Sequence, residues 1–423
     1  MYKVLHLTTT TRGGAQTIGR LHKLFLKHGI ESCVINPLDE NTTEKILIPR
    51  KVKRFSSKLL RAFRYYLTQT IVRIRFRKKI NHEFSFNKNY YSISAKDIIE
   101  TSPFKPDFIF LHWISDFITP QHIADLYRYY QCPVIWRYND FALITGGCHY
   151  PGECTRFQEA CGKCPKLNSS RMNDPSHQHF LQKKDMLQQV PVTVIDSTPY
   201  TKEIIDTAAL FQDNPRVFIR NSIPGNVFHS LVSKEASKEK LGIPPGNKVI
   251  FWGARFIEEP RKGFRFFTEA IEKLTYDQPL TLLLAGNKQA TTQFDFKYPV
   301  HHIGMVDEKV LASCYQAADL LVVSSMEDGG PMMVVEAMMC GTPIVAFATG
   351  LAAELVQTGE TGYQASKGVA KDLTAGISYI LNLQASEYHE LSSNCSNTAK
   401  HLYSEETEIN AYINLFNNMI KKK

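Results

Sequence analysis

The most chemically informative part of this 423-residue chain is the stretch 324–341, SSMEDGGPMMVVEAMMCG. Asp328 and Glu336 stand eight residues apart, and Gly329 and Gly330 follow the first acid directly. Glycines let a ligand approach backbone N–H groups, and the first N–H groups of a helix have no partner within it. These donors and the helix dipole favour a bound phosphate by roughly 0.3–2 kcal/mol. The stretch therefore predicts an anion site between two carboxylates.

The spacing of the two acids suggests the size of the ligand. Eight residues correspond to about 12 Å along a helix, and Pro331 suits the first turn of one. That length fits the two ends of a nucleotide diphosphosugar, with its phosphates in between. A helix cap followed by a solvated glutamate is the alternative interpretation.

A second group of candidate residues is cationic. Arg255 lies in the run Phe251-Trp-Gly-Ala-Arg-Phe, and Lys262 lies in Arg261-Lys-Gly-Phe. The chain contains no Asp-x-Asp sequence, so a diphosphate held through a chelated metal is not supported. Fixed cations and a helix N-terminus would then have to stabilise a departing diphosphate, without a catalytic cofactor. Two ordinary solvated cations are the alternative.

Together these residues resemble a known signature. An acid, seven residues and a glutamate, followed by Ala-Met and later by Gly-Thr-Pro-Ile-Val-Ala, is similar to the motif of retaining glycosyltransferase family 4. The resemblance implies the two-domain GT-B fold, with Glu336 bonding the ribose hydroxyls and Asp328 and the following backbone meeting the sugar. The family's first acid is usually Glu. Glu327 lies one place off register, so Asp328 is the residue that keeps the interval.

The same resemblance assigns further donor-binding residues. Arg255 and Lys262 would neutralise the diphosphate, although their interval is wider than usual and indicates an insertion near Glu259–Pro260. Gly304 and Met305 match the loop that borders the base. Thr11-Arg-Gly-Gly-Ala is not Gly-x-Gly-x-x-Gly, so a dinucleotide site is weakly supported. It resembles the family's Gly-Gly-Ala loop, which would place Gly13 and Gly14 beside the donor phosphates; alone, the pair would be only a turn.

The first half narrows the resemblance to a subgroup. Leu111-His-Trp-Ile and the stretch 133–150, PVIWRYNDFALITGGCHY, resemble the exopolysaccharide and colanic-acid-type enzymes, in which a Thr-Gly-Gly-Cys motif precedes further cysteines. Those relatives usually carry His where this chain has Asn139, and that His is thought to lie by the reacting sugar. Asn cannot take a proton near neutrality. His112 is the other catalytic candidate, with an ordinary core or rim histidine as the alternative.

Four of the nine cysteines lie close together, at Cys148, Cys154, Cys161 and Cys164. Cys-x-x-Cys is half of a common zinc site, although the spacing of the first pair is unusual. A structural zinc ion, unligated thiols and disulfides are three interpretations, with thiolate ligation favoured over disulfides in a reducing compartment. The other cysteines fit small core residues.

The net charge of +9 is local. Residues 50–79 hold twelve Lys and Arg and no acid, so the rest of the chain is net negative. Within the basic segment 50–82, one predicted helical face is apolar and the opposite face is cationic. The apolar residues are Leu59, Leu60, Phe63, Tyr66 and Leu67, and the cations are Arg54, Lys58, Arg61 and Arg64. Beyond Ile71 a two-residue alternation argues against one unbroken helix. The segment could bind an anionic membrane surface, or its apolar face could simply pack in the core with a solvated basic face outside; both interpretations are open. A nucleic-acid partner is not expected, because no binding motif accompanies the basic patch.

The elements that must position these residues alternate between strands and helices. Continuous apolar strands between helices predict parallel sheets covered on both faces, an α/β fold of two Rossmann-like domains facing a cleft. We expect a first domain over 1–221, a second over 222–400 and a helix over 401–423 that crosses back to the first. The predicted strands are Val4–Thr8, Ser32–Ile35, Phe108–His112, Val134–Tyr138, Val192–Ser197, Val217–Arg220, Val249–Gly253, Leu280–Ala285, Leu320–Ser324 and Pro343–Phe347.

Composition limits the class of protein. With 43% hydrophobic and 22% charged residues the chain is globular, no apolar run is long enough to span a bilayer, and no secretory signal is evident. The resemblance to family 4 implies a metal-independent retaining glycosyltransferase, which we expect to be cytoplasmic. It would use a UDP- or GDP-sugar and a lipid-linked or other glycan acceptor of surface polysaccharide synthesis, and the inner membrane surface is a candidate partner. A nucleotide-sugar epimerase of the same fold and a degenerate GT-B scaffold are the alternatives.

Overall fold

The computed structural model of the protein describes residues 1–11, 16–53, 55–76, 84–85, 88–138, 140–287 and 295–421. The chain forms two compact units. Unit 1 comprises Met1–Ser197, Thr201–Ile219 and Ile409–Lys423, and unit 2 comprises Thr198–Tyr200 and Arg220–Glu408.

Unit 1 is built on a seven-stranded parallel sheet of order β3-β2-β1-β4-β5-β6-β7. Its central strands are apolar and buried on both sides, as parallel strands between helices must be. The strands are β1 Lys3–Leu7, β2 Glu31–Ile35, β3 Ile46–Leu47, β4 Phe108–Leu111, β5 Val134–Arg137, β6 Val192–Asp196 and β7 Arg216–Phe218.

The helices of the first half begin and end where their sequences favour it. Pro120 opens α5 at a position where a missing N–H costs nothing, and Asp174 caps α6 by accepting from the N–H groups of Ser176 and His177. These helices are α1 Gln16–Lys27, α2 Arg50–Lys53, α3 Phe55–Phe76, α4 Ala95–Thr101, α5 Pro120–Tyr130, α6 Pro175–Gln189 and α7 Pro199–Asp206.

Unit 2 contains a six-stranded parallel sheet of order β10-β9-β8-β11-β12-β13. Successive residues of its strands enter separate cores on the two faces: Leu282 belongs to the core that contains Phe267, whereas Leu283 belongs to the core that contains Val335. The strands are β8 Lys248–Ala254, β9 Leu280–Gly286, β10 Val300–Gly304, β11 Leu320–Val323, β12 Ile344–Phe347 and β13 Gly362–Ala365. The helices are α8 Lys234–Leu241, α9 Phe264–Lys273, α10 Glu308–Ala317, α11 Met332–Met339, α12 Leu351–Leu355, α13 Ala370–Leu381 and α14 Ala385–Leu402.

The final helix, α15 Glu405–Lys421, adds its apolar stripe to the core of unit 1. Phe416 stacks on Phe108 with ring centroids 4.3 Å apart, and Tyr412 meets Phe25 edge-on at 5.1 Å. The predicted α/β fold class, with two parallel Rossmann-like sheets, is confirmed.

Candidate functional site

The candidate site of unit 2 lies at the carboxyl ends of β8 and β11, which are neighbours in the sheet. From β8 the chain continues outward to β9 and β10, whereas from β11 it continues the other way to β12 and β13. The strand order therefore reverses between β8 and β11, and in open α/β sheets ligands bind at such a reversal. The loops 255–263 and 324–331 follow these two strands and contain five of the ten predicted donor-binding residues.

Backbone and side-chain hydrogen bonds join these two loops. The N–H of Met326 donates to the carbonyl of Arg261 at 2.8 Å, and the hydroxyl of Ser324 donates to the carbonyl of Lys262 at 3.2 Å. Gly263 allows this approach: its φ is +66°, and a Cβ atom there would lie 1.9 Å from the Ser324 carbonyl oxygen. The two loops thus form one connected wall.

Asp328 is buried in this wall and is held by two cations. One carboxylate oxygen accepts from Lys262 Nζ at 2.6 Å and from an Arg261 guanidinium nitrogen at 3.3 Å, and the other accepts from the N–H of Gly330 at 3.2 Å. Burial alone would raise the pKa of Asp328, but the charges of Lys262 and then Arg261 outweigh it and lower the pKa. The carboxylate is therefore charged and fixed in orientation.

Arg261 is a partner of Asp328 that was not expected from the sequence. Its guanidinium also bonds the Glu259 carboxylate at 2.9 Å and the Glu327 carbonyl at 3.2 Å, so it ties both loops together. The predicted cation Arg255 instead lies on the surface, with its guanidinium 5.3 Å from the ring centre of Phe256. The sequence does show two adjacent cations, Arg261 and Lys262, but only Lys262 was predicted to bind the donor.

Glu336 lies on α11 and is 5% exposed. The hydroxyl of Tyr315 on α10 donates to one of its carboxylate oxygens at 3.0 Å. Tyr315 is itself fully buried, between the rings of Phe228 and Phe251. Burial, and then the Glu336 charge, raise the pKa of Tyr315 well above its usual value, so the phenol remains a hydrogen-bond donor.

The segment between the two acids is not wholly helical, contrary to the expectation from its sequence. α11 begins at Met332, and Pro331 is its extended N-cap residue rather than part of its first turn. The Gly329–Gly330 turn therefore lies before the helix, and the interval from Asp328 to Glu336 combines a turn with little more than one helical turn. The figure of about 12 Å, which assumed a continuous helix, does not apply.

The loop predicted to border the base follows the edge strand β10. Gly304 ends that strand with a φ of +74°, which favours glycine, and its N–H donates to His302 Nδ1 at 3.2 Å. Met305, the next residue, is 62% exposed. An exposed methionine after a turn offers a polarisable apolar surface to a ligand.

The candidates in unit 1 are only partly described. Gly13, Gly14 and Asn139 lie outside the described residues. His112 directly follows β4 and is 2% exposed, with its Nε2 2.9 Å from Nδ1 of His6. Burial lowers the pKa of both histidines well below the usual value, so the pair is neutral. His112 also lines a cavity of about 40 Å³ together with Arg137.

A hydrogen-bonded chain of side chains beside that cavity was not predicted. Asp140 accepts from His149 Nδ1 at 2.5 Å, and His149 Nε2 lies 2.7 Å from the hydroxyl of Ser85. Burial alone would lower the pKa of His149, but the Asp140 carboxylate outweighs it and raises the pKa. Asp140 also accepts from the N–H of Ala142 at 2.8 Å, which fixes the loop after β5.

The clustered cysteines lie in the same loop region, and all nine cysteines are free thiols. Cys148 and Cys164 pack with Phe84 and Leu167 in a small apolar cluster, and the N–H of Gly146 donates to Cys161 Sγ at 3.2 Å. Within the described ranges, no three His, Cys, Asp or Glu side chains are grouped so that they could hold a metal ion. Structural zinc stays a prediction.

Comparison with known proteins gives a family match within unit 2 and several partial relatives. Residues 233–402, within unit 2, match the family model of the glycosyl transferases of group 1. A D-inositol 3-phosphate glycosyltransferase of Xylanimonas cellulosilytica is 28% identical over 28% of this chain and 30% of its own length. The putative colanic acid biosynthesis glycosyl transferase WcaC of Escherichia coli K12 is 23% identical over 53% of this chain and 54% of its own. The chain thus matches a third to about half of these relatives' length.

A solved structure resembles the whole chain. Anabaena HepE in complex with UDP-glucose has a TM-score of 0.64 and 16% identity, and the similarity covers 98% of this chain and 99% of that one. This likeness concerns the fold. The two parallel sheets and the structural likeness define the class of protein as a GT-B α/β fold, in which residues 233–402 are similar to the glycosyl transferases of group 1. The predicted GT-B fold is confirmed.

Proposed function

We propose that the protein is a retaining glycosyltransferase that moves a sugar from a UDP- or GDP-sugar to an acceptor hydroxyl. The observation that carries the proposal is the arrangement in unit 2. Asp328 is charged, buried and held by two cations, and Glu336 is buried on the following helix. Both acids lie near the reversal of strand order, within the residues that match group 1 glycosyl transferases.

In this proposal each part of the site binds one part of the donor. Glu336 accepts hydrogen bonds from the ribose hydroxyls, and Lys262 meets the diphosphate. Asp328 with the backbone of Gly329 and Gly330 binds the sugar. Gly304 and Met305 border the base, Gly13 and Gly14 meet the phosphates, and Arg255 is a second diphosphate cation on an exposed stem.

The chemistry of transfer then depends on fixed charge. As the bond to the sugar breaks, negative charge grows on the diphosphate oxygen, and cations already in place stabilise it without reorganisation. No side chain is assigned as a covalent nucleophile. The departing diphosphate oxygen takes the proton of the incoming hydroxyl, which attacks from the same face and so retains configuration. His112 and Asn139 are proposed to position sugar hydroxyls.

The acceptor is proposed from the relatives. WcaC is named for colanic acid biosynthesis, and the subgroup motif of the sequence agrees with it. We infer a lipid-linked glycan acceptor in surface polysaccharide synthesis, and hence a cytoplasmic enzyme working at the inner face of the membrane. No helix in the part of the chain that the structure describes is long and apolar enough to cross a bilayer.

The test is turnover of radiolabelled UDP- and GDP-sugars by the full chain, with chromatography of the products in the presence and absence of acceptor lipids. Transfer or donor hydrolysis by the wild type, lost in Glu336→Gln and kept in the exposed control Glu360→Gln, is the expected result. Conversion of the donor into an epimeric nucleotide sugar without acceptor would instead establish the epimerase. Nucleotide binding with no turnover of any donor would favour the scaffold.

A further inference from the structure

Most of the basic segment 50–82 belongs to one long helix of unit 1, α3, which follows the short helix α2. α3 runs from Phe55 to Phe76, so the helix extends past Ile71, where the sequence predicted a break, and residues 77–83 lie outside the described part of the chain. Arg73 and Arg75, the first two of the alternating cations, lie within this helix. A helix of 22 residues is about 33 Å long.

The apolar residues of α3 share one face, and that face is exposed. With 3.6 residues per turn they fall within an arc of roughly 140° around the helix axis. Their exposed fractions are far above those of core residues, so the alternative of an ordinary core stripe is wrong. The residues are Leu59 (58%), Leu60 (40%), Phe63 (64%), Tyr66 (70%), Leu67 (47%), Ile71 (50%) and Ile74 (75%).

The opposite face of α3 packs on unit 1. Thr68, which lies opposite Leu59 on the helix, is only 6% exposed. The Arg61 guanidinium lies 4.9 Å from the ring centre of Tyr91, and Tyr65 meets Tyr90 edge-on at 5.9 Å. The helix is therefore oriented with polar and aromatic contacts inward and aliphatic side chains outward. This is the reverse of the usual arrangement of a surface helix.

Charge indicates what covers this face. Residues 50–79 contain twelve Lys and Arg and no acid. Arg50, Lys51 and Lys53 of the adjoining helix α2 are exposed, as is Arg64. Lys51 and Lys53 also approach Asp97 and Glu40, but exposed pairs of this kind contribute little. A surface that is both apolar and cationic complements the interface of an anionic bilayer.

We propose that α3 docks on the surface of an anionic lipid bilayer, with the aliphatic and aromatic face from Leu59 to Ile74 at headgroup depth and the neighbouring cations among the lipid phosphates. The helix lies in the plane of the interface. This inference rests on the proposed function only for the identity of the acceptor; the docking itself follows from α3. It would keep the protein where a lipid-linked hydroxyl is available.

The test measures co-sedimentation of the full chain with vesicles of phosphatidylcholine, with and without phosphatidylglycerol. We expect binding to the anionic vesicles that weakens with added salt, and weaker binding to the neutral ones. The double substitution Phe63→Glu, Tyr66→Glu should lower the partition coefficient at least about tenfold, since it removes two inserted rings and adds two repelled charges. Tyr129→Glu, at a 62% exposed aromatic residue of α5, is the matched control and should bind like the wild type.

Three outcomes would overturn the inference. The wild type could fail to bind anionic vesicles, the double variant could bind them as well as the wild type, or neutral vesicles could bind equally well. If the double substitution converts a dimer into a monomer and vesicles are not bound, the face is covered by a second copy instead. Circular dichroism verifies folding of each variant, and transfer to a water-soluble acceptor reports separately on the proposed function.

Discussion

The hydroxyl of Tyr315 offers the sharpest test of how Glu336 would recognise a nucleotide. Tyr315→Phe removes one oxygen and keeps the ring that packs between Phe228 and Phe251. The Glu336 carboxylate then loses the donor at 3.0 Å that fixes its orientation. The buried carboxylate then has one hydrogen bond fewer to hold its orientation, so it is less well placed for ribose hydroxyls.

The magnitude follows from the type of bond. A hydrogen bond to a charged group contributes about 1.5–3 kcal/mol, and some of this is recovered when the carboxylate relaxes. We therefore expect the free energy of unfolding to fall by about 1–2 kcal/mol. The preference for UDP over 2′,3′-dideoxy-UDP should fall by about tenfold, which corresponds to about 1.4 kcal/mol.

Isothermal titration calorimetry with both nucleotides gives this preference directly. The matched control is Tyr403→Phe. Tyr403 is buried in the same core as Tyr315, but its hydroxyl accepts a hydrogen bond from the Arg220 guanidinium at 3.0 Å instead of donating to Glu336. The control should lose comparable stability and keep the ribose preference. An unchanged preference in Tyr315→Phe, or an equal loss in Tyr403→Phe, would refute the reasoning.

Three further predictions concern the charges and thiols. Arg261→Gln should lower turnover at least about tenfold, because Asp328 loses a cation that orients it. Arg255→Gln should mainly raise the Kd for UDP, by about a few fold. Steady-state kinetics and calorimetry distinguish these two effects, and equal effects of the two substitutions would contradict the assignment. The pKa of Asp328 in the folded protein is below the ordinary value of 3.8, so the charged carboxylate stabilises the fold above pH 3.8 and this stabilisation is lost as the pH falls through the folded pKa. Urea titrations should therefore show that Asp328→Asn lowers the free energy of unfolding more at pH 7 than at pH 3. An equal loss of stability at both pH values would contradict this prediction. If the predicted zinc is present, mass spectrometry of native protein should find one ion per chain that Cys164→Ser loses, whereas a metal-free wild type would dismiss it.

Much of the scaffold is readable from the sequence because parallel sheets between helices impose continuous apolar strands. Runs such as Phe108–Leu111 are unambiguous for this reason, and each predicted strand is found within two residues of its expected ends. Three of the strands that the structure describes are absent from the predicted set: β3, which has two residues, β10 Val300–Gly304, which has no fully buried residue, and β13 Gly362–Ala365, which has little apolar character. Their pairing depends on a neighbouring strand and leaves no local signal.

The contacts around the candidate site were less predictable. The motif singles out Glu336, but its partner Tyr315 is 21 residues earlier on another helix and becomes a neighbour only through the packing of α10 and α11. The choice between Arg255 and Arg261 as the partner of Asp328 depends on the path of a loop, which spacing alone does not fix. For α3, the periodicity identifies the apolar face but cannot tell whether it meets the core or the solvent.

The most direct measurement for the central claim is product analysis after incubation of the full chain with a UDP- or GDP-sugar and an acceptor lipid, with a chelator present. We predict a new glycosidic bond of retained anomeric configuration, formed by the wild type and Glu360→Gln and absent with Glu336→Gln. Transfer that Glu336→Gln leaves intact would contradict the assignment of the site, and activity that requires a divalent ion would contradict the reliance on fixed cations.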